Sequence, residues 1–415
     1  MGARDNAQPE RLTIDMQTNK ETAMPDSSTN HFRRFAFRLI GGTLLMAAST
    51  FAMAQDTIRI GLVAPFSGPF SEFGKHFHNG MKAWLAINGD TVAGKKIEIL
   101  VKDDAAAPEA ARRLAQELVL RDKVDFLAGF GLTPEAMAAA PVATQAKKPM
   151  ILMNAAASGL TAKSPYMVRM SFTQSQTAIP LATWAAQNGI RKVYTLVSDY
   201  GPGIDSEEAF KKTFIAAGGE IIGSSRAPLQ NPDFAPFTQR IKDAAPQAVF
   251  TFLPAGEAVI GFMKNFSDRG LADAGIKLLA ATELTVENLK AAGDASLAAV
   301  ASTHYLETRD TPENRAFVKA YKQVTGEHVH PLAVAGYDGM AAISEVGKRL
   351  NGKIDGDKAM AILKGLQLNS PRGPVRIDKD TRDIVQNIYI LRPKKAGTEY
   401  SREQIATFEN VGDFR

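Results

Sequence analysis

The stretch VDFLAGFGLTPEAMAAAPVATQAKKPMILMNAAASGLT, residues 124–161, contains the unit on which the fold prediction rests. VDFLAGF is apolar enough to be a buried strand, and PMILMN has the same character. Between them, TPEAMAAAPVATQAKK begins with Thr133, which we predict to cap a helix, and has a proline in its first turn. A strand, a helix and a second strand in this order are typical of a parallel sheet covered by helices.

The same alternation continues over most of the chain, from residue 57 to about residue 393. Short apolar runs of strand length are separated by amphipathic runs of helical length. Because the strands are too many for one doubly wound sheet, we predict an α/β protein with two doubly wound parallel-sheet lobes. Ligands of such sheets bind beyond the carboxyl ends of the strands, so the loops that follow strands are the place to look for a site.

Six loops that follow predicted strands combine small residues with a hydroxyl, a ring or a charge. They are APFSGPFSEFG, GFGLTPE, NAAASGLT, DYGPG, LPAGE and ATELT. Small residues let a ligand approach the backbone, and the N-terminus of a helix offers unpaired N–H groups to an anion. GFGLTPE and NAAASGLT therefore predict a site for an anionic group, with Thr133 and Ser158 as the nearest hydroxyls.

Several classes of site are disfavoured by the composition. The chain has no cysteine, which removes disulfides and thiolate metal sites, and GFGLTP fails as a dinucleotide fingerprint because a proline takes the third glycine position. Two histidine pairs, His76 with His78 and His328 with His330, have a spacing that points the rings apart on a helix. We expect no metal site, no cofactor and no enzyme activity. A net charge of +5 without a basic cluster argues against nucleic acid as a partner.

The first part of the chain, residues 1–54, is predicted to be a leader with a signal peptide. Three arginines between His31 and Leu39 precede an apolar run, and an A-x-A sequence ends at Ala54. This order is typical of a secretory signal peptide, and the run is too short for a spanning helix. We predict cleavage after Ala54. Because Gln55 stands where a lipoprotein has its cysteine, we expect a periplasmic protein without a lipid anchor.

An ordered set of segments carries a family resemblance over nearly all of the remaining chain. The segments are SGPFSEFGK, NAAASGLT before SPYMVRMSF, DYGPG, LPAGEAVIGFMKNFSDRGL, AGYDGMAA and SPRGPVRIDKDTRDIVQNIYI. Together they resemble the type I periplasmic solute-binding proteins of the leucine/isoleucine/valine-binding kind, the receptors of ABC importers. The resemblance implies two lobes joined by a three-crossing hinge, which closes over a small ligand.

The resemblance also implies domain boundaries. The crossings fall near Met170, at residues 303–305 and at residues 371–377. The first lobe then holds residues 55–171 and 305–372, the second lobe holds residues 172–304 and 373–400, and residues 401–415 form a C-terminal tail.

Site residues follow from the resemblance by position. The ligand-binding residues that it implies are Phe73, Thr133, Ala156, Ala157, Ser158, Tyr200, Glu283 and Tyr337. Thr133 and residues 156–158 would clasp the ligand carboxylate, Phe73 and Tyr200 would flank the ligand, and Glu283 would receive a ligand ammonium. Many relatives have a hydroxyl where this chain has Ala157, so Ser158 or backbone N–H groups must take its place.

The resemblance implies a periplasmic substrate-binding component of an ABC importer, and two ligand classes compete. The prediction is a branched-chain or other hydrophobic amino acid, which Glu283 favours, and the second class is the alternative. The near absence of other charges in the predicted cleft, with the LPAG and SPRGP segments, favours an aromatic carboxylate of the benzoate type. A ligand-sensing receptor domain is a further alternative. The partner implied is an ABC permease of the inner membrane, and we expect a monomer.

Overall fold

The computed structural model describes residues 57–282 and 284–413. The predicted leader and Glu283 lie outside the described residues. Among the described residues, no helix combines the length and the apolar character that crossing a membrane requires.

The first part of the chain forms one sheet from strands that alternate with helices. Its elements are β1 (Thr57–Ala64), α1 (Ser71–Asn88), β2 (Thr91–Val92), β3 (Lys95–Asp103), α2 (Pro108–Leu120), β4 (Phe126–Gly129), α3 (Thr133–Ala146), β5 (Met150–Leu152) and β6 (Met167–Arg169). The strand order in this first sheet is β2-β3-β1-β4-β5-β6. Every neighbouring pair is parallel except β2 with β3.

A second run of alternating elements forms another sheet. It contains α4 (Gln174–Gln187), β7 (Lys192–Ser198), α5 (Gly201–Ala216), β8 (Glu220–Ala227), α6 (Ala235–Ala244), β9 (Ala248–Phe252), α7 (Glu257–Asp268), β10 (Lys277–Ala280), α8 (Val286–Ala292) and β11 (Ala299–Thr303). The strands β8, β7, β9, β10 and β11 are parallel neighbours in that order. The predicted α/β fold with two parallel-sheet lobes is therefore confirmed.

The last part of the chain contributes to both halves. Its elements are α9 (Pro312–Thr325), α10 (Ala333–Arg349), α11 (Gly356–Leu363), β12 (Gln367–Ser370), β13 (Gly373–Ile377), β14 (Ile384–Ala396) and β15 (Glu399–Val411). The strands β12 to β15 extend the second sheet by antiparallel pairing. In contrast, α10 packs on α1 of the first sheet, so closely that a Cβ at Gly80 would lie 1.9 Å from the Ala333 carbonyl oxygen.

The structure corrects one expectation about the end of the chain. Residues 401–415 were expected to be a tail, but β15 runs from Glu399 to Val411 and pairs with β14. Opposite charges face each other across this pair, and Arg392 bonds Glu403 at 3.0 Å. Arg392 and Glu403 are therefore cross-strand partners on an exposed face. The remaining domain boundaries stay a prediction.

Two buried arginines hold together the segments that connect the sheets. Arg372, in the turn between β12 and β13, donates to Asp338 on α10 at 2.8 Å and to the Ser171 carbonyl oxygen just after β6 at 2.9 Å. Arg169, the last residue of β6, bonds Asp383, which directly precedes β14, at 2.7 Å. Since both arginines are fully buried, these ion pairs fix the connecting segments relative to each other.

Candidate functional site

The loops that follow β4 and β5 lie side by side because these strands are adjacent and parallel. The Thr133 hydroxyl accepts the N–H of Ala157 at 3.3 Å and so joins the two loops. The prediction that Thr133 caps the helix is wrong. The cap position of α3 is Leu132, and Thr133 is already the first helical residue. Its hydroxyl accepts a hydrogen bond from the neighbouring loop and not from the N-terminus of α3.

Residues 155–159, which we call the β5 loop, are held from one side by Arg169. Its Nη2 donates to the Ala157 carbonyl oxygen at 2.7 Å, and its Nη1 donates to the Ala155 carbonyl oxygen. The Ala156 carbonyl oxygen accepts the N–H of Gln174 at 3.1 Å. Ala156 is buried, and its N–H donates to no other group among the described residues. A buried N–H without a partner in the chain can be satisfied by an acceptor from outside it, and the oxygen of a ligand carboxylate is one such acceptor.

Ser158, predicted to contact the ligand, is held by two aspartates. Its N–H donates to Asp205 on α5 at 2.8 Å, and its hydroxyl donates to Asp413, beyond β15, at 2.9 Å. Asp413 also accepts the hydroxyl of Ser175 at 2.8 Å and the N–H of Gly159 at 3.4 Å. Both donors of Ser158 are therefore engaged by carboxylates within the chain.

Tyr200 reaches these loops from the second sheet. It precedes α5, and its ring packs against the core clusters of both sheets. The ring also stacks on Phe252 at the end of β9, with centroids 6.1 Å apart and planes 20° from parallel. A Cβ at Gly201 would lie 3.7 Å from the Ala157 Cβ. The glycine turn of DYGPG therefore brings the second sheet to van der Waals distance of the β5 loop.

Phe73 lies at the same edge of the first sheet. It is on α1 and almost fully buried, between Phe70 and Phe77 at centroid distances of 6.3 and 6.1 Å. A Cβ at Gly131 would lie 3.2 Å from Phe73. The ring therefore packs against the backbone of the GFGLTPE loop, and a side chain at Gly131 would crowd Phe73.

Tyr337 packs against the first-sheet core cluster that includes Phe73, as Tyr200 does. Its ring packs against Phe317 at 4.9 Å, in the contact between α9 and α10. Six of the eight predicted residues, Phe73, Thr133, Ala156, Ala157, Ser158 and Tyr200, thus lie at the facing strand ends of the two sheets. Glu283 is outside the described residues.

Sequence reasoning missed two buried carboxyl groups at the same edge. Glu135, in the first turn of α3, and Asp104, after β3, are each at most 1% exposed. One oxygen of each, Oε2 and Oδ2, has no hydrogen-bond partner among the described residues. Burial raises the pKa of Glu135 to about 7 and that of Asp104 to about 6, and each carboxyl is near another acid that raises it further.

Tyr200 lies close enough to Glu135 for the two groups to interact electrostatically. Burial, with a smaller contribution from the Glu135 charge, raises the pKa of the Tyr200 hydroxyl far above its usual value. The tyrosine therefore stays neutral, as a hydrogen-bonding and aromatic surface. No set of three or more His, Asp or Glu side chains suited to a metal occurs in the described part of the chain.

Comparison with known proteins shows what the chain is similar to. A family model described as Periplasmic binding protein matches residues 57–398. A protein of Brucella melitensis named Leu/Ile/Val-binding protein homolog 6 is 44% identical over 380 residues, which cover 89% of this chain and 97% of that protein.

Two solved structures are similar along almost their whole length. A solute-binding protein of an ABC transporter from Rhodopseudomonas palustris BisB5, in complex with 3,4-dihydroxybenzoic acid, is 48% identical with a TM-score of 0.82. Another, from Rhodopseudomonas palustris HaA2 in complex with p-hydroxybenzoic acid, is 43% identical with a TM-score of 0.83. Each match covers 86% of this chain and 99% of the other.

Proposed function

This chain belongs to the periplasmic binding protein family, as the solute-binding component of an ABC transporter, and we propose that its ligand is a hydroxylated benzoate. The observation that carries the proposal is the complex of the 48%-identical protein with 3,4-dihydroxybenzoic acid. The 43%-identical protein, in complex with p-hydroxybenzoic acid, supports the same ligand class.

The chemistry of the site supports an aromatic carboxylate. On one side, the buried N–H of Ala156 and the first turn of α3 offer donors to a carboxylate. On the other side, Tyr200 with Phe252 and the ring of Phe73 offer aromatic faces. Offset or edge contacts between aromatic rings stabilise such a complex beyond the burial of area alone.

We further propose that binding proceeds by closure of the two lobes predicted from the sequence. The facing loops come from both sheets and already lie at van der Waals distance of each other, so a ligand between the sheets would be enclosed by both. A ligand that contacts both lobes binds the closed form more tightly and shifts the population towards it. The closed form would then be recognised by an inner-membrane permease. In this proposal the protein is exported after cleavage behind Ala54, acts as a monomer and catalyses no reaction.

A second candidate ligand is a hydrophobic amino acid. The name of the 44%-identical Brucella melitensis protein, Leu/Ile/Val-binding protein homolog 6, favours it. An amino acid would bring an ammonium group into the closed cleft, and a buried cation requires a charge partner. Glu283 is the partner that the sequence predicts. An amino-acid ligand would therefore require the Glu283 carboxylate, whereas a hydroxybenzoate would not.

Isothermal titration calorimetry of the mature protein tests the proposal. The titrants are 4-hydroxybenzoate, 3,4-dihydroxybenzoate, benzoate, leucine and valine. The proposal predicts that a hydroxybenzoate binds at least about tenfold more tightly than leucine, a difference of about 1.4 kcal/mol. Tighter binding of leucine or valine than of all three aromatic acids would instead establish the amino-acid candidate.

A further inference from the structure

The β5 loop has an unusual support. Its residues are three alanines, one serine and one glycine, so Ser158 provides its only polar side chain. The hydrogen bonds that hold the loop involve side chains outside it. Arg169 donates to the carbonyl oxygens of Ala155 and Ala157. Asp205 accepts a hydrogen bond from the N–H of Ser158, and Asp413 accepts one from its hydroxyl.

The two aspartates belong to a different part of the fold from the loop. The loop follows β5 of the first sheet, whereas Asp205 is in the second turn of α5 and Asp413 follows β15 of the second sheet. The hydroxyl of Ser175, at the start of α4, lies 3.3 Å from the hydroxyl of Ser158 and donates to the Asp413 carboxylate at 2.8 Å. Ser158, Ser175 and the two aspartates therefore connect the loop to the second sheet.

We propose that Asp205 and Asp413 are positioning residues for ligand binding, which hold the β5 loop so that the N–H of Ala156 stays available to the ligand carboxylate. The inference rests on the proposed function in one respect, because it takes this loop to bind the carboxylate. It assigns Ser158 a role in anchoring the loop, in place of the direct ligand contact that the family resemblance implies.

The physical reason is the cost of ordering a loop of small residues. An alanine methyl group makes fewer contacts than a larger side chain, and glycine has no side chain. Each disordered residue adds conformational entropy that binding must remove. A loop already fixed by external hydrogen bonds avoids that loss at the moment of binding. Hydrogen bonds to charged groups are among the stronger ones, which suits carboxylates for this purpose.

A double-mutant cycle separates anchoring from direct contact. The variants are Ser158→Ala, Asp413→Ala and the double variant, each titrated with 4-hydroxybenzoate. If Asp413 acts through Ser158, each single variant weakens binding by about tenfold and the double variant by little more than either. Two results would overturn the proposal: losses that multiply in the double variant, or a loss for Ser158→Ala with none for Asp413→Ala.

Two further variants test whether the loss of affinity in Asp413→Ala comes from the lost hydrogen bonds or from a general structural defect. Asp413→Asn keeps an acceptor oxygen, so it should recover most of the affinity that Asp413→Ala loses. Asp273→Ala removes an exposed aspartate elsewhere on the second half and should bind as the unaltered protein does. Affinity that Asp413→Asn fails to recover would count against anchoring by a hydrogen bond.

Amide hydrogen exchange of the ligand-free protein measures how firmly the β5 loop is held, whatever the ligand is. Peptides that cover residues 155–159 should exchange faster in Asp413→Ala and in Asp205→Ala than in Asp273→Ala. If the unaltered protein bound no aromatic acid, the proposed function would fail while this measurement still decided the anchoring. Unchanged exchange in both variants would overturn the inference even if hydroxybenzoates bind.

Discussion

Replacing Glu135 with glutamine should remove part of the pH dependence of folding stability. Glu135 is 1% exposed, and its Oε2 has no hydrogen-bond partner among the described residues. Burial raises its pKa from an ordinary 4.5 to about 7. The folded protein therefore holds a proton on Glu135 at pH values where the unfolded chain has released it.

The direction of the effect follows from this difference in bound protons. Between pH 4.5 and about 7 the folded state binds more protons at Glu135 than the unfolded state does, so the free energy of unfolding falls as the pH rises. Below that window both states are protonated, and above it both are ionised. A shift of this size corresponds to a loss of about 3 kcal/mol across the window. Asp104, with its pKa raised to about 6, contributes in the same direction.

Urea unfolding followed by circular dichroism at pH 4.5, 6 and 8 measures the effect. Because glutamine carries no charge at any of these pH values, Glu135→Gln should match the unaltered protein at the lowest pH. At pH 8 it should be more stable by up to about 3 kcal/mol. Glu109→Gln is a matched control, because Glu109 occupies the first turn of α2 after a proline but is exposed. Identical pH profiles for Glu135→Gln and the unaltered protein would show that Glu135 does not titrate with a raised pKa in the folded state.

Three other predictions address separate parts of the account. Arg169→Met should lower the free energy of unfolding by about 3–5 kcal/mol, because it removes the buried ion-pair partner of Asp383; a loss below about 1 kcal/mol in urea unfolding would contradict this. Glu283→Gln should leave the calorimetric affinity for 4-hydroxybenzoate nearly unchanged, whereas an amino-acid ligand would lose about 3–5 kcal/mol. Mass spectrometry of periplasmic material should find Gln55 as the first residue, and a full-length chain in the membrane fraction would contradict export with cleavage.

The fold was predictable because its signal is local and repeated. Each strand of the parallel sheets is a short apolar run, and each helix between them has an apolar face, so the alternation can be read directly from the sequence. The strand β15 was missed for the opposite reason. Its charged residues, such as Glu403, are paired with residues of β14, and only the pairing shows that they belong to a sheet.

The approach of the candidate-site loops to one another was predictable from the sequence, but their hydrogen bonding was not. Loops after parallel strands gather at one edge, which is why Thr133, the β5 loop and Tyr200 were expected together. The partners of Ser158 lie 47 and 255 residues away along the chain, and no local pattern identifies them. The burial of Glu135 is equally invisible, because an acid in the first turn of a helix is ordinarily an exposed residue that favours the helix dipole.

The most direct test of the central claim is mass spectrometry of the ligand that the protein releases on denaturation, after purification from cells supplied with both hydroxybenzoates and amino acids. We expect a hydroxybenzoate in an amount close to one molecule per protein chain. Leucine, isoleucine or valine in that amount, with no aromatic acid, would contradict it.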